Sequence, residues 1–193
     1  SLKQDSLKLP NLLTFYRILV VLPFIGLFFI QARWANWVAV ILFVSACITD
    51  FFDGYVARLQ HQTTELGTLL DPIADKILVA TSLLMLAGTG RIAGLTLLPA
   101  CVILAREIIV SGLREFLAEI SIKLPVSKLA KWKTGVQMVA LACLLFDDPR
   151  KEIWLWGELG ESLLWIAAFL TLMSGVDYWK AGWTYLNKKT SVR

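Results

Sequence analysis

Long apolar blocks separated by short polar clusters set the plan of this chain. They run from about Asn11 to Gln31, Trp34 to Leu59, Glu65 to Ala87, Ile92 to Ile120, Leu129 to Phe146 and Glu161 to Leu186. Each is close to the roughly 20 residues with which an α-helix crosses a bilayer, and none alternates apolar with polar as a half-buried strand would. Pro10 followed by Asn11 predicts a helix start with Asn11 as N-cap, and Gly88-Thr89-Gly90 predicts a turn. Residues 1–10 are basic and mildly amphipathic, the pattern of a segment lying on a membrane surface. The predicted fold is an all-α integral membrane protein, with six transmembrane helices and a short N-terminal amphipathic surface helix. Residues 1–193 make one membrane domain.

Composition agrees with this plan. Of 193 residues 57% are hydrophobic and 18% charged, against about 25% charged in soluble domains. Little room remains for a separate soluble domain. Cys47, Cys101 and Cys143 lie inside apolar blocks without paired spacing, as small core hydrophobes do. The single histidine, His61, falls among polar residues in a predicted loop. The first block is long enough to span and lacks a small-residue cleavage site, so it reads as a span and not as a cleavable leader.

Charge sets the expected orientation. Alternate loops and both tails carry Lys3, Lys8, Arg58, Lys123, Lys128, Lys131, Lys133, Lys180, Lys188, Lys189 and Arg193, whereas the opposite loops hold Arg33, Arg91, Arg150 and Lys151. The positive-inside rule then puts both termini, and the loop between the second and third blocks, in the cytoplasm. Trp34, Trp37, Trp154 and Trp156 mark the outer interface, and Trp132, Trp179 and Trp183 the inner one. A net charge of +4 suits an anionic inner leaflet, and no nucleic-acid partner is needed to account for it.

Candidate chemistry is concentrated in residues 50–75, DFFDGYVARLQHQTTELGTLLDPIAD. At about 100° per residue, Asp50, Asp53, Gly54 and Ala57 share a stripe of the second helix with Arg58 at its border. Gly67, Asp71 and Asp75 share a stripe of the third. Leu59 to Leu66 suffices to reverse the chain, so the stripes can face each other just inside the cytoplasmic boundary. Carboxylates at membrane depth are rare and functional, and four of them repel unless a cation lies between. Hard divalent ions such as Mg²⁺ or Mn²⁺ favour such oxygen ligands. Ion pairs with Lys76 or Arg58 are the bland alternative.

The spacing D-x2-D-G-x2-A-R-x8-G-x3-D-x3-D, carried here by Asp50, Asp53, Gly54, Ala57, Arg58, Gly67, Asp71 and Asp75, resembles the signature of the CDP-alcohol phosphotransferase family of membrane enzymes. The resemblance implies a bacterial inner-membrane enzyme, active on its cytoplasmic side as a homodimer, with two divalent cations. Asp50, Asp53 and Asp71 would hold one ion, and Asp50, Asp71 and Asp75 the second. Asp75 would also serve as general base. Gly54, Arg58 and Thr64 would contact the CDP group of CDP-diacylglycerol, with Ala57 and Gly67 on the same faces. Asn11 and Thr14 would close over the cytidine.

The remaining charges bear on the acceptor. Arg106 and Arg114 lie in the fourth block, and Lys131 and Lys133 start the fifth. Arginine suits phosphate geometry, so these four are the candidate pocket for a phosphate on the acceptor; pairing with Glu107 and Glu115 is the alternative. The segments NLLTFYRI, AREIIVSGLRE and KWKTGVQMV resemble family members whose acceptor is sn-glycerol 3-phosphate. Inositol phosphate and phosphatidylglycerol are alternative acceptors. A divalent-cation transporter is the rival from another class, although no acidic path continues outward from the cluster. Asp177 has no assigned chemistry.

Overall fold

Every predicted block becomes a helix in the computed structural model of the chain, which describes residues 9–60, 65–119, 128–147 and 155–190. The helices are α1 (Leu9–Leu27), α2 (Arg33–Gln60), α3 (Glu65–Gly88), α4 (Leu97–Glu119), α5 (Lys128–Phe146) and α6 (Leu155–Thr190). A single 3-10 turn, Gly94–Thr96, leads into α4. Among the described residues there is no strand. Among the described residues three stretches are long and apolar enough to cross a membrane: Arg33–Phe52, Gly94–Ala118 and Leu155–Lys180. Asn11–Leu27 and Trp132–Phe146 are shorter apolar helices. The chain is therefore an all-α membrane protein. Of the predicted surface segment, residues 1–8 lie outside the described residues.

Helix limits depart from expectation at several ends: α1 stops at Leu27, short of Gln31, α4 begins at Leu97, after Ile92, and α6 runs to Thr190, beyond Leu186. Asn11 lies within α1, which starts at Leu9, because Pro10 is tolerated in a first turn whose N–H groups have no intrahelical acceptor. Asn11 is thus a buried helix residue and not the N-cap. The last helix starts at Leu155, ahead of the expected Glu161. The predicted turn holds: Gly90 has φ +74°, a left-handed conformation in which glycine meets no Cβ penalty.

Two compact units share the chain, one of residues 1–92 and 141–157, the other of 93–140 and 158–193. In the first, α1 packs against both α2 and α3. Its core holds Val20, Val21 and Phe24 of α1, Ala39, Phe43 and Ala46 of α2, and Ala74, Leu78 and Leu86 of α3. Leu12, Leu19 and Leu22 point outward from α1 while Asn11, Thr14 and Arg17 point inward. Apolar outside and polar inside is the arrangement expected of a helix in lipid that carries a functional interior. At the far end of this unit, Arg91 donates to the Leu145 carbonyl (3.0 Å) and to Asn36 Oδ1 (2.7 Å), and lies over the Phe28 ring. Close by in sequence, Trp37 meets Phe146 edge-on and Phe146 stacks on Trp156.

The second unit is built on small-residue contacts. A Cβ on Gly175 would meet the Arg106 stem at 3.6 Å, and one on Gly182 would meet Leu113 at 3.4 Å, so α4 and α6 approach closely, as membrane helices do at glycines. Thr96 donates to Glu161 across 3.1 Å. Trp179 and Trp183 stack on the outer face of α6.

Candidate active site

Three carboxylates of the first unit converge on one guanidinium. Arg17 pairs through Nη1 with Asp50 and with Asp75 (2.8 Å), and through Nη2 with Asp71 (3.3 Å). Thr14 Oγ1 donates to the same Asp71 oxygen at 2.5 Å, and one turn away Tyr16 and Ser45 share a hydrogen bond of 2.8 Å. These residues come from the N-terminal turns of α1, the C-terminal half of α2 and the N-terminal half of α3. That is where chain reversals between successive helices bring sequence-distant positions to one end. Asn11, Thr14 and Arg17 lie at i, i+3 and i+6 on α1, one stripe aimed at both partner helices.

Exposure separates the cation from its anions. Arg17 is 1% exposed, whereas the side chains of Asp50, Asp71 and Asp75 are 33%, 50% and 46% exposed. Each carboxylate thus turns part of itself to the buried arginine and leaves the rest free to meet a ligand. A buried guanidinium needs anionic partners, and among the described residues Asp50, Asp71 and Asp75 supply them. The sequence stripe therefore forms, with Asp50, Asp71 and Asp75 facing one point. Asp53, Gly54, Ala57 and Arg58 lie in α2 and Gly67 in α3, but their side chains, and all of Thr64, lie outside the described residues.

The donor chemistry suits a hard divalent ion, since carboxylate oxygens from two helices line one guanidinium. Among the described residues, however, no three acidic, histidine or cysteine side chains are already spaced as a metal cage. The carboxylates are spread around Arg17 instead. Sequence reasoning passed over Arg17. The one trace it leaves in the sequence is an arginine inside an apolar block, three residues beyond Thr14, which needs an anionic partner but does not say which.

The second unit holds a separate polar cluster. Arg106 donates through Nη2 to Ser174 Oγ (2.8 Å) and through Nη1 to Glu107 (3.3 Å), with its guanidinium 5.9 Å from the Tyr178 ring centre. Lys133 donates to the same Glu107 carboxylate. Both cations are largely buried, and one anion serves the two of them. Among the described residues Arg106 Nε, Gln137 Oε1 and Thr171 Oγ1 are buried and meet no hydrogen-bond partner, so this interior retains unspent polar capacity. Of the four predicted acceptor residues the structure brings Arg106 and Lys133 together. Arg114 is exposed, and the Lys131 side chain lies outside the described residues, as does that of Asp177. Glu107 takes the pairing role anticipated for it, whereas Glu115 is exposed and accepts from Ser111 at 3.4 Å. Among the described residues Cys47, Cys101 and Cys143 form no disulfide.

Comparison with known proteins bears on this geometry. Residues 7–173 match the family described as CDP-alcohol phosphatidyltransferase. A Rickettsia typhi protein named CDP-diacylglycerol–glycerol-3-phosphate 3-phosphatidyltransferase is 48% identical over 177 residues, covering 92% of this chain and 98% of its own length. Proteins of the same name from Pseudomonas fluorescens and Shigella flexneri are 42% and 41% identical. The first covers 93% of this chain and 92% of itself, the second 90% and 93%.

Proposed function

We propose, because this chain belongs to the CDP-alcohol phosphatidyltransferase family, that it transfers the phosphatidyl group of CDP-diacylglycerol to sn-glycerol 3-phosphate. The products are phosphatidylglycerophosphate and CMP. The observation that carries the chemistry is the convergence of Asp50, Asp71 and Asp75 on one cationic point. Relatives named for this reaction, matched over nine-tenths of the chain, support the choice of substrates.

In this reading Asp50, Asp53, Asp71 and Asp75 hold two Mg²⁺ or Mn²⁺ ions, which when bound neutralise the diphosphate and stabilise the developing charge on CMP. Asp75 accepts the proton of the acceptor's primary hydroxyl. The hydroxyl oxygen forms a bond to the phosphorus that carries diacylglycerol. The bond from that phosphorus to the bridging oxygen breaks, and its electron pair leaves with CMP. Asn11, Thr14, Gly54, Ala57, Arg58, Thr64 and Gly67 surround the CDP group. Arg106, Lys133, Lys131 and Arg114 take the acceptor's phosphate, for which guanidinium and ammonium donors are suited. Glu107 then has a second function: it holds Arg106 and Lys133 in place until the phosphate arrives.

The same reading makes α1 to α6 six membrane spans in the bacterial inner membrane, with the termini and the chemistry on the cytoplasmic side and residues 1–10 on its surface. Arginine and lysine placement supports that orientation, and the family resemblance supports a homodimer. Purified protein in liposomes containing CDP-diacylglycerol should release CMP when glycerol 3-phosphate is added. Divalent-ion flux without CMP release would overturn the assignment in favour of transport.

A further inference from the structure

We propose that Arg17 is the built-in counter-ion of the aspartate site, and that it competes with the divalent ions for the same carboxylate oxygens. This inference rests on the metal reading above. Arg17 is almost wholly enclosed, yet its partners Asp50, Asp71 and Asp75 are partly open. One guanidinium nitrogen is shared by Asp50 and Asp75 and the other reaches Asp71. The planar fork of arginine makes such a double engagement possible; a lysine has one nitrogen to place. Thr14 pins the Asp71 oxygen from the same helix face, so the pairs belong to a fixed arrangement of α1 against α2 and α3.

Carboxylates gathered at membrane depth repel one another when nothing positive stands between them. Arg17 supplies that charge in the metal-free protein, so the site folds before it is loaded. An ion that engages the Oδ1 atoms of Asp50, Asp71 and Asp75 takes them from Arg17, and one that engages the neighbouring Oδ2 atoms draws the same negative charge away from it. Metal binding and arginine pairing are therefore linked with opposite sign, and the apparent metal affinity is lowered by the fraction of molecules in which Arg17 holds the carboxylates.

The test needs no turnover. Full-length protein in detergent micelles, without substrate, is titrated with Mn²⁺ while free Mn²⁺ is followed by electron paramagnetic resonance. Unfolding temperature is recorded in chelator and in saturating Mn²⁺. Arg17→Gln should bind Mn²⁺ about tenfold more tightly than the parent, with Arg17→Lys between the two. Both should unfold at lower temperature in chelator and recover most of the loss with Mn²⁺. Should Arg17→Gln fail to fold in chelator, Arg17→Lys decides. Unchanged or weaker Mn²⁺ affinity in folded Arg17→Lys, with the parent binding Mn²⁺ normally, refutes the competition and leaves the metal reading standing. Absence of Mn²⁺ binding by the parent and by both variants refutes the metal reading and this inference together.

Discussion

Asp75 is bonded to Arg17 on one side and nearly half exposed on the other, the position a proton acceptor needs. Replacing it by asparagine keeps the shape and a hydrogen-bonding oxygen but removes the basic site. Asp75→Asn should therefore lower turnover by about 10³-fold or more, with helical content and detergent-solubilised monodispersity preserved; wild-type turnover would sink its assigned role. Removal of divalent ions by chelator should abolish CMP release, and Mg²⁺ or Mn²⁺ should restore it; an undiminished rate in excess chelator rules that chemistry out. The acceptor residues make a different forecast. Arg106→Ala removes two charge-assisted contacts of a buried guanidinium, and should raise the KM for glycerol 3-phosphate by about 10–100-fold with a much smaller effect on CDP-diacylglycerol. Equal effects on both substrates would count against a phosphate pocket there. At this scale Asp50, Asp71 and Asp75 were legible because helical period and loop length together bring two acidic stripes face to face. The partner of those stripes was not. Nothing in the chain says that α1, rather than another of the helices, packs against α2 and α3, and without that neighbour Arg17 reads as one more charge in an apolar block.

Helices as units were legible for a simple reason: lipid forces every backbone group in a span to bond within its own segment, so long apolar blocks have little choice but to be helical. Their ends were less so. Pro10 and Asn11 signal a start, but a proline is accepted just inside a first turn as readily as before it, and the helix takes in both. Side-chain ties between elements left no trace either. Arg91 reads as a solvated loop charge, yet it closes the end of α5 at the Leu145 carbonyl and holds Asn36 of α2. Arg91→Met should then cost about 1–3 kcal/mol of stability, seen as a lower unfolding temperature with both KM values unchanged; an unaltered unfolding temperature would show the ties to be idle. Gly175 marks the close approach of α4 and α6, where alanine makes an ordinary contact with the Arg106 stem. Gly175→Ala should be tolerated, whereas the branched Gly175→Val would drive that stem from Ser174. The expected result is a rise of about tenfold in the KM for glycerol 3-phosphate, and a normal KM in the valine variant would mean that Ser174 does not position Arg106.

Taken as a whole molecule, the chain places its basic residues unevenly. The tails and one set of loops are rich in lysine, and the other set carries few cations, with Asp147, Asp148, Glu152, Glu158 and Glu161 clustered around its last member. That asymmetry supports the proposed orientation, because positive loops are retained on the cytoplasmic side while acidic residues count for little. The site residues lie at the α1 N-terminal, α2 C-terminal and α3 N-terminal ends of their helices, the ends that lead into the lysine-rich tail and the loop after Arg58. The proposed orientation ties to the proposed chemistry: glycerol 3-phosphate, a charged molecule that does not cross lipid unaided, would reach the site from the cytoplasm. Sealed inside-out membrane vesicles holding the protein should convert externally added glycerol 3-phosphate at the full rate, without permeabilisation. Sealed right-side-out vesicles should do so only after a pore-forming agent is added. Activity confined to untreated right-side-out vesicles would invert the topology, and with it the reading of which surface the aspartates serve.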